Sequence, residues 1–241
     1  MTWQNLEIAW KDLVDRQQSC TECAKCSPSR IHARSKPLFG RFNVWPRGAL
    51  FVFEAPNLDD TIDPDKGYLT YDRETDPSGR FARQLMVEEL DLDPRFFQVT
   101  NSVLCLPAEK GTKYPVSSDQ RRLCSSLLRE QILVLDPAVV VSVGGKALEA
   151  TRKIEDHGFK KMVDAVAQQV PWFKRLLFPL FHTSMQARFG PGGRTPEKQR
   201  RDWRKLREIL LAKGVVFPHG ATEHATSPNP LSPVGGQKET S

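Results

Sequence analysis

The stretch Asp136-Pro137-Ala138-Val139-Val140-Val141-Ser142-Val143-Gly144-Gly145 decides the fold. Ala138–Val143 is mostly β-branched and has the length of a strand rather than a helix. Asp136-Pro137 ends the helix before it, because a residue preceding proline is disfavoured in the α region. Gly144-Gly145 opens a turn, and Lys146–Glu155 returns to helical spacing. Upstream, Ser117-Ser118-Asp119-Gln120 matches a capping box and predicts a helix to about Leu135. Phe96–Leu104 predicts a strand and Phe81–Leu92 a helix. Ala49–Phe53 predicts a buried strand that stops at Glu54-Ala55-Pro56-Asn57. Residues 2–18 carry Trp3, Leu6, Ile8, Ala9, Leu13 and Val14 at mostly helical spacing. Downstream, Leu176–Phe181 predicts a fourth strand, closed by His182. Glu197–Ala212 predicts an amphipathic helix with Trp203, Leu206 and Leu210 on one face. Strands alternating with helices argue an α/β chain. The expectation is a three-layer α/β/α domain over residues 1–214, around a central, mainly parallel four-stranded sheet. Ligands of such sheets bind beyond the carboxyl ends of the strands. Glu54, Asn57, Asn101, Cys105, Gly144-Gly145 and His182 all fall at those ends.

The 241 residues are enough to bury a core without help from disulfides or metals. A mean hydropathy of −0.46 and the lack of any apolar run near the ~20 residues of a spanning helix argue against a membrane protein. The first residues show no basic segment followed by an apolar block, so no signal peptide is expected. From residue 215 the chain turns rich in Pro, Gly, Ser and Thr and reads as a disordered tail. The net charge of +6 decides little alone. Arg194–Lys213, however, holds eight basic residues against three acids, a candidate phosphate-facing surface. Residues 57–79 form a long acidic loop.

Five cysteines, Cys20, Cys23, Cys26, Cys105 and Cys124, are an odd number in a chain with no export signal. Metal or redox use explains them better than a disulfide framework. Cys20-x2-Cys23 offers two thiolates from one turn, with Cys105 and Cys124 far downstream. Four thiolates suit an iron–sulfur cluster or a structural zinc ion, and spacing does not separate the two. Buried cysteines without metal are the third reading.

Several stretches together resemble the uracil-DNA glycosylase superfamily, most of all its iron–sulfur family 4 type. They are Cys20-x2-Cys23, Phe51-Val52-Phe53-Glu54-Ala55-Pro56, Val99-Thr100-Asn101-Ser102-Val103-Leu104-Cys105-Leu106-Pro107, Arg122-Leu123-Cys124, the stretch from Asp136 to Ala147, and Phe178-Pro179-Leu180-Phe181-His182. The resemblance implies a [4Fe–4S] cluster on Cys20, Cys23, Cys105 and Cys124, with Cys26 spare or replacing Cys23. It implies a glycosylase of base excision repair, acting on DNA that contains uracil or another deaminated base. It further implies a monomer in the cytoplasm or nucleoid of a prokaryote.

Such an enzyme extracts a base from the stack and breaks its N-glycosidic bond. Asn101 matches the uracil-reading residue, because a carboxamide both donates and accepts. His182 matches the late-strand donor to the departing base. Glu54 and Asn57 lie in the water-activating stretch, with Asp59 and Asp60 as further candidates. Tyr71, then Tyr68, stands where the family has a stacking aromatic. Lys146, Arg188 and Arg194 are candidate DNA contacts, and Met185 a candidate wedge. The chain departs from the family at Phe53, Asn57 and Thr183, where Gly, Gly and Pro are usual. Two other readings stay open: a non-catalytic DNA-binding relative that keeps fold and cluster, and a zinc-stabilised hydrolase of unrelated substrate.

Overall fold

The computed structural model describes residues 3–18, 20, 45, 47–56, 77–93, 96, 98–105 and 116–217. Twelve elements are described in chain order: α1 (Trp3–Gln18), β1 (Ala49–Phe53), α2 (Pro77–Glu88), β2 (Val99–Asn101), α3 (Ser118–Leu135), β3 (Val139–Ser142), α4 (Gly145–Ile154), α5 (Met162–Ala165), β4 (Val170–Trp172), β5 (Arg175–Leu177), α6 (Met185–Phe189) and α7 (Pro196–Ala212).

The sheet has five strands in the order β2-β1-β3-β5-β4. β1 pairs in parallel with β2 and β3, and β3 pairs in parallel with β5. Only β4 runs antiparallel, against β5. It corrects the four-stranded expectation. The Phe173-Lys174 turn joining them has positive φ at both residues, 47° and 57°. Two-residue hairpins demand that conformation, and Asn-Gly or Asp-Gly is its usual signature. Here Phe173 is held instead by Trp172 at 5.6 Å and by the guanidinium groups of Arg129 and Arg175. β5 is shorter than the expected Leu176–Phe181, although Leu180 still bridges Val143 in parallel, and β2 is shorter than Phe96–Leu104, its chain crossing the end of β1 after Asn101.

Side chains alternate faces along each strand. Ala49, Phe51 and Phe53 join α2 and α7 in one core, where Phe51 stacks on Trp203 at 5.4 Å. Leu50 and Val52 join α3 and α4 in the other. Helices therefore cover both faces, as a parallel sheet requires. Burying one such aromatic or aliphatic side chain is worth ~1.5–3 kcal/mol. α3 begins with the expected capping box between Ser117 and Gln120 and ends at Asp136. α1 packs on α3. Between them runs a buried polar relay: Thr100 Oγ1 donates to Gln131 at 2.7 Å, and Gln131 Nε2 donates to Gln17 at 3.1 Å.

Packed chain continues past residue 214. Val215 and Phe217 are buried, and Trp45 Nε1 donates to the Val216 carbonyl at 2.8 Å. Residues 218–241 lie outside the described residues. No helix among the described residues is long and apolar enough to cross a membrane.

Candidate active site

β1 ends at Phe53, and the register sets Asn101, the end of β2, directly beside it. Parallel neighbours lie ~4.8 Å apart. The chain beyond Asn101 then crosses the end of β1. Ser102 N–H donates to the Phe53 carbonyl at 2.7 Å, and Val103 N–H to that of Glu54 at 3.0 Å. This cover leaves Asn101 only 1% exposed. Neither Oδ1 nor Nδ2 of its amide has a hydrogen-bond partner among the described residues.

His182 reaches the same edge from the other side. After β5 the chain stays against β3, where Leu180 N–H donates to Ser142 at 2.8 Å and Gly144 N–H to Leu180 at 2.8 Å. It thereby places the His182 ring edge-on to Phe53, with centroids 6.1 Å apart. The amide of residue 101 and the imidazole of residue 182 thus flank one strand end. Ser184 N–H donates to His182 Nδ1 at 3.1 Å. An acceptor Nδ1 carries no proton, so the ring proton sits on Nε2. Gly144, at φ 93°, backs the ring: a Cβ there would lie 3.2 Å from His182 Cβ. A side chain at that position meets both a strained backbone and the imidazole. Thr183, where Pro is usual in the resembling family, is buried and its hydroxyl has no partner among the described residues.

Glu54 is half-buried next to these residues. Burial raises its carboxyl above the ordinary 4.5; Arg121 and Lys146 oppose that rise and Glu149 adds to it. A carboxyl with a higher pKa folded than unfolded contributes stability that is full below pH 4.5 and lost as pH rises through the folded value. Glu54→Gln keeps the shape and removes the charge. The variant's melting temperature is therefore expected to fall less than wild type's between pH 4.5 and neutrality. Parallel curves would refute the assignment.

Sequence reasoning missed Arg121. Its Nη1 donates to the Val116 carbonyl at 2.6 Å and its Nη2 to Glu149 at 3.0 Å. The signal was its register: positions 121, 124, 128, 132 and 135 share the buried stripe of α3. Phe53, which reads as a departure from the family, supplies the ring that His182 meets.

The remaining candidates divide. Asn57, Asp59, Asp60, Tyr68, Tyr71, Cys23 and Cys26 lie outside the described residues. Cys124 is buried beside Val103, Val116 and Ala55, while Cys20 and Cys105 are half-buried. Cys20 follows α1 and donates its N–H to the Gln17 carbonyl at 3.1 Å, while Gln17 Nε2 donates to the Leu127 carbonyl of α3 at 3.1 Å. No group of three or more His, Cys, Asp or Glu forms a metal site among the described residues. Lys146 is 52% exposed at the start of α4, 3.6 Å from Glu149. Arg188 lies over the Phe81 ring at 4.6 Å.

Arg194, a candidate DNA contact, grips the buried Asp202 through both Nε and Nη2, which ties the 190–194 loop to α7. Several cations of α7 are paired within the fold as well. Arg200 pairs with Glu88, the last residue of α2, and with Glu89 just beyond it, Arg204 with Glu89 and Arg207 with Asp91, and Lys205 donates to the Ala167 carbonyl. Much of that charge holds α7 against α2.

A family model described as the uracil DNA glycosylase superfamily matches residues 54–207. The match contains Glu54, Asn101, Cys105, Cys124, Lys146 and His182; Cys20 and Cys23 precede it. A search of curated proteins finds no match.

Proposed function

The chain belongs to the uracil-DNA glycosylase superfamily, and from that premise we propose that it hydrolyses the N-glycosidic bond of uracil, or a related deaminated base, in DNA and leaves an abasic site. One observation carries the reading: the Asn101 amide is buried with both polar atoms unsatisfied. Each such group costs about 1–3 kcal/mol. A fold retains that cost where a ligand later meets the amide. In one orientation, Nδ2 donates to the 4-oxo group of uracil and Oδ1 accepts from N3–H. Cytosine presents the opposite pattern at both atoms.

His182 acts on the same base. With Nδ1 bonded to Ser184 N–H, Nε2–H is the donor toward a carbonyl oxygen that gains charge as the base departs. Phe53 fixes the ring's edge and Gly144 leaves room behind it. Glu54 is the candidate to take a proton from the attacking water, since burial makes its carboxylate the stronger base. Asn57, Tyr68 and Tyr71 keep their proposed places around the sugar and base, and Lys146 its place at a phosphate.

The donor set fits a [4Fe–4S] cluster in its chemistry, being all thiols and so soft ligands. Cys20, Cys23, Cys105 and Cys124 would hold it. When bound, it braces the N-terminal segment against the chain after β2 and against α3; the reaction needs no electron transfer.

Single- and double-stranded oligonucleotides with one uracil, incubated with the protein and then heated in alkali, test the function. Strand breaks at uracil and none at thymine or cytosine are expected. Binding without breaks would remove hydrolysis and leave the DNA-binding reading.

A further inference from the structure

The base-reading role of Asn101 asks for a well-aimed amide, yet that amide has no hydrogen-bond partner among the described residues. Its aim must come from the backbone that carries it. The sheet alone holds that backbone on one side. β2 is three residues long and stands at the end of the strand order, so β1 is its only partner strand among the described residues. Asn101 is the last residue of β2.

Thr100 supplies a second hold. Successive side chains of a strand point to opposite faces, and Thr100 points with its register partner Val52 toward α3. There Thr100 Oγ1 donates to Gln131 Oε1 at 2.7 Å, and Gln131 Nε2 donates to Gln17 Oε1 at 3.1 Å. Gln17 Nε2 in turn donates to the Leu127 carbonyl at 3.1 Å and to Glu130 at 3.2 Å. Thr100 and Gln131 are fully buried and Gln17 is 3% exposed, so water does not compete for these bonds.

The polarity of the relay is fixed from its far end. A backbone carbonyl only accepts. Gln17 must therefore turn its NH2 group toward Leu127 and its oxygen toward Gln131. Gln131 must then donate to Gln17, which leaves its own oxygen for Thr100, and Thr100 can only donate. No amide in the relay can flip without setting two acceptors face to face. A one-way chain of this kind holds Thr100 in a single rotamer, and with it the peptide that leads into Asn101.

We propose that Thr100 and Gln131 are positioning residues for Asn101, and that α1 joins the base-reading apparatus through Gln17. The inference rests on the glycosylase reading and names what keeps its selective group in place. None of the three needs to meet the base; each acts through the peptide that carries the amide.

Thr100→Val keeps the shape and deletes the donor. In protein without DNA, amide hydrogen exchange is expected to quicken about tenfold over residues 99–103 and to stay unchanged in β3. Single-turnover cleavage of a uracil oligonucleotide is expected to slow roughly 10- to 100-fold, the scale set by a displaced contact. Thr100→Ser restores the hydroxyl and is expected to recover most of that loss. Gln17→Ala, at the far end of the relay, is expected to slow cleavage roughly 2- to 10-fold, and it carries the test should Thr100→Val fold poorly. The decisive arm uses Asn101→Leu. In that background Thr100→Val is expected to add less than about twofold, because the group it positions is gone. A further loss of about tenfold there would make the relay plain scaffold. Cleavage or exchange like wild type's in folded Thr100→Val would end the proposal. The two readings fail separately. Faster exchange in a protein that never cuts uracil would remove the glycosylase reading and keep the hold on β2. Uracil cutting that Thr100→Val leaves intact would do the reverse.

Discussion

Replacing His182 with alanine is expected to slow release of uracil about 10²- to 10³-fold, some 2.7–4 kcal/mol, the loss that accompanies one transition-state donor. Charge on the base oxygen grows only as the glycosidic bond breaks. Nε2–H therefore favours the transition state over the bound substrate, and the loss falls on the chemical step rather than on affinity. Single-turnover rates at saturating enzyme measure that step directly. His182→Gln tests the geometry: its amide donates but lacks the Ser184 N–H bond to Nδ1 that aims the imidazole. Partial recovery is expected from it. Rates for the alanine variant within threefold of wild type would place the donor elsewhere and leave the His182–Phe53 contact as packing.

The parts of the fold that sequence made legible are those with local causes. β3 follows from a β-branched run between Asp136-Pro137 and Gly144-Gly145. The start of α3 follows from Ser117 and Gln120 bonding each other's backbone N–H groups. β4 had no such cause. Its turn is Phe173-Lys174, which has positive φ at both residues without the usual Asn-Gly or Asp-Gly signature, and one of the two cations on the Phe173 ring, Arg129, comes from α3. The basic helix shows the same limit for charge. Composition counts Arg200, Arg204 and Arg207 as available cations, and only the fold brings Glu88, Glu89 and Asp91 against them. Asn101 and His182 were legible because one ends a strand and the other lies just past one at the carboxyl edge of a parallel sheet, where topology gathers side chains. That Phe53 would lie between them was not, since the family's Gly offers no ring to expect.

Asn101→Leu separates function from packing because its two effects carry opposite signs. A structural asparagine bonded within the fold would lose stability on becoming leucine. Here both amide atoms are buried and have no partner among the described residues. An apolar side chain of similar volume removes that unsatisfied polarity, so the variant is expected to be more stable than wild type, by about 1–3 kcal/mol. Chemical denaturation with an unchanged slope would register this as a higher midpoint. Activity moves the other way. Losing two hydrogen bonds to the base, at about 0.5–1.5 kcal/mol each, lowers kcat/KM for uracil roughly 5- to 150-fold. Selection against cytosine goes with it, because leucine neither donates nor accepts. A variant that is both less stable and fully active would show that the amide belongs to the fold and that the base is read by another group. Gain of stability with loss of activity is the signature of a polar group kept for a ligand rather than for the protein that carries it.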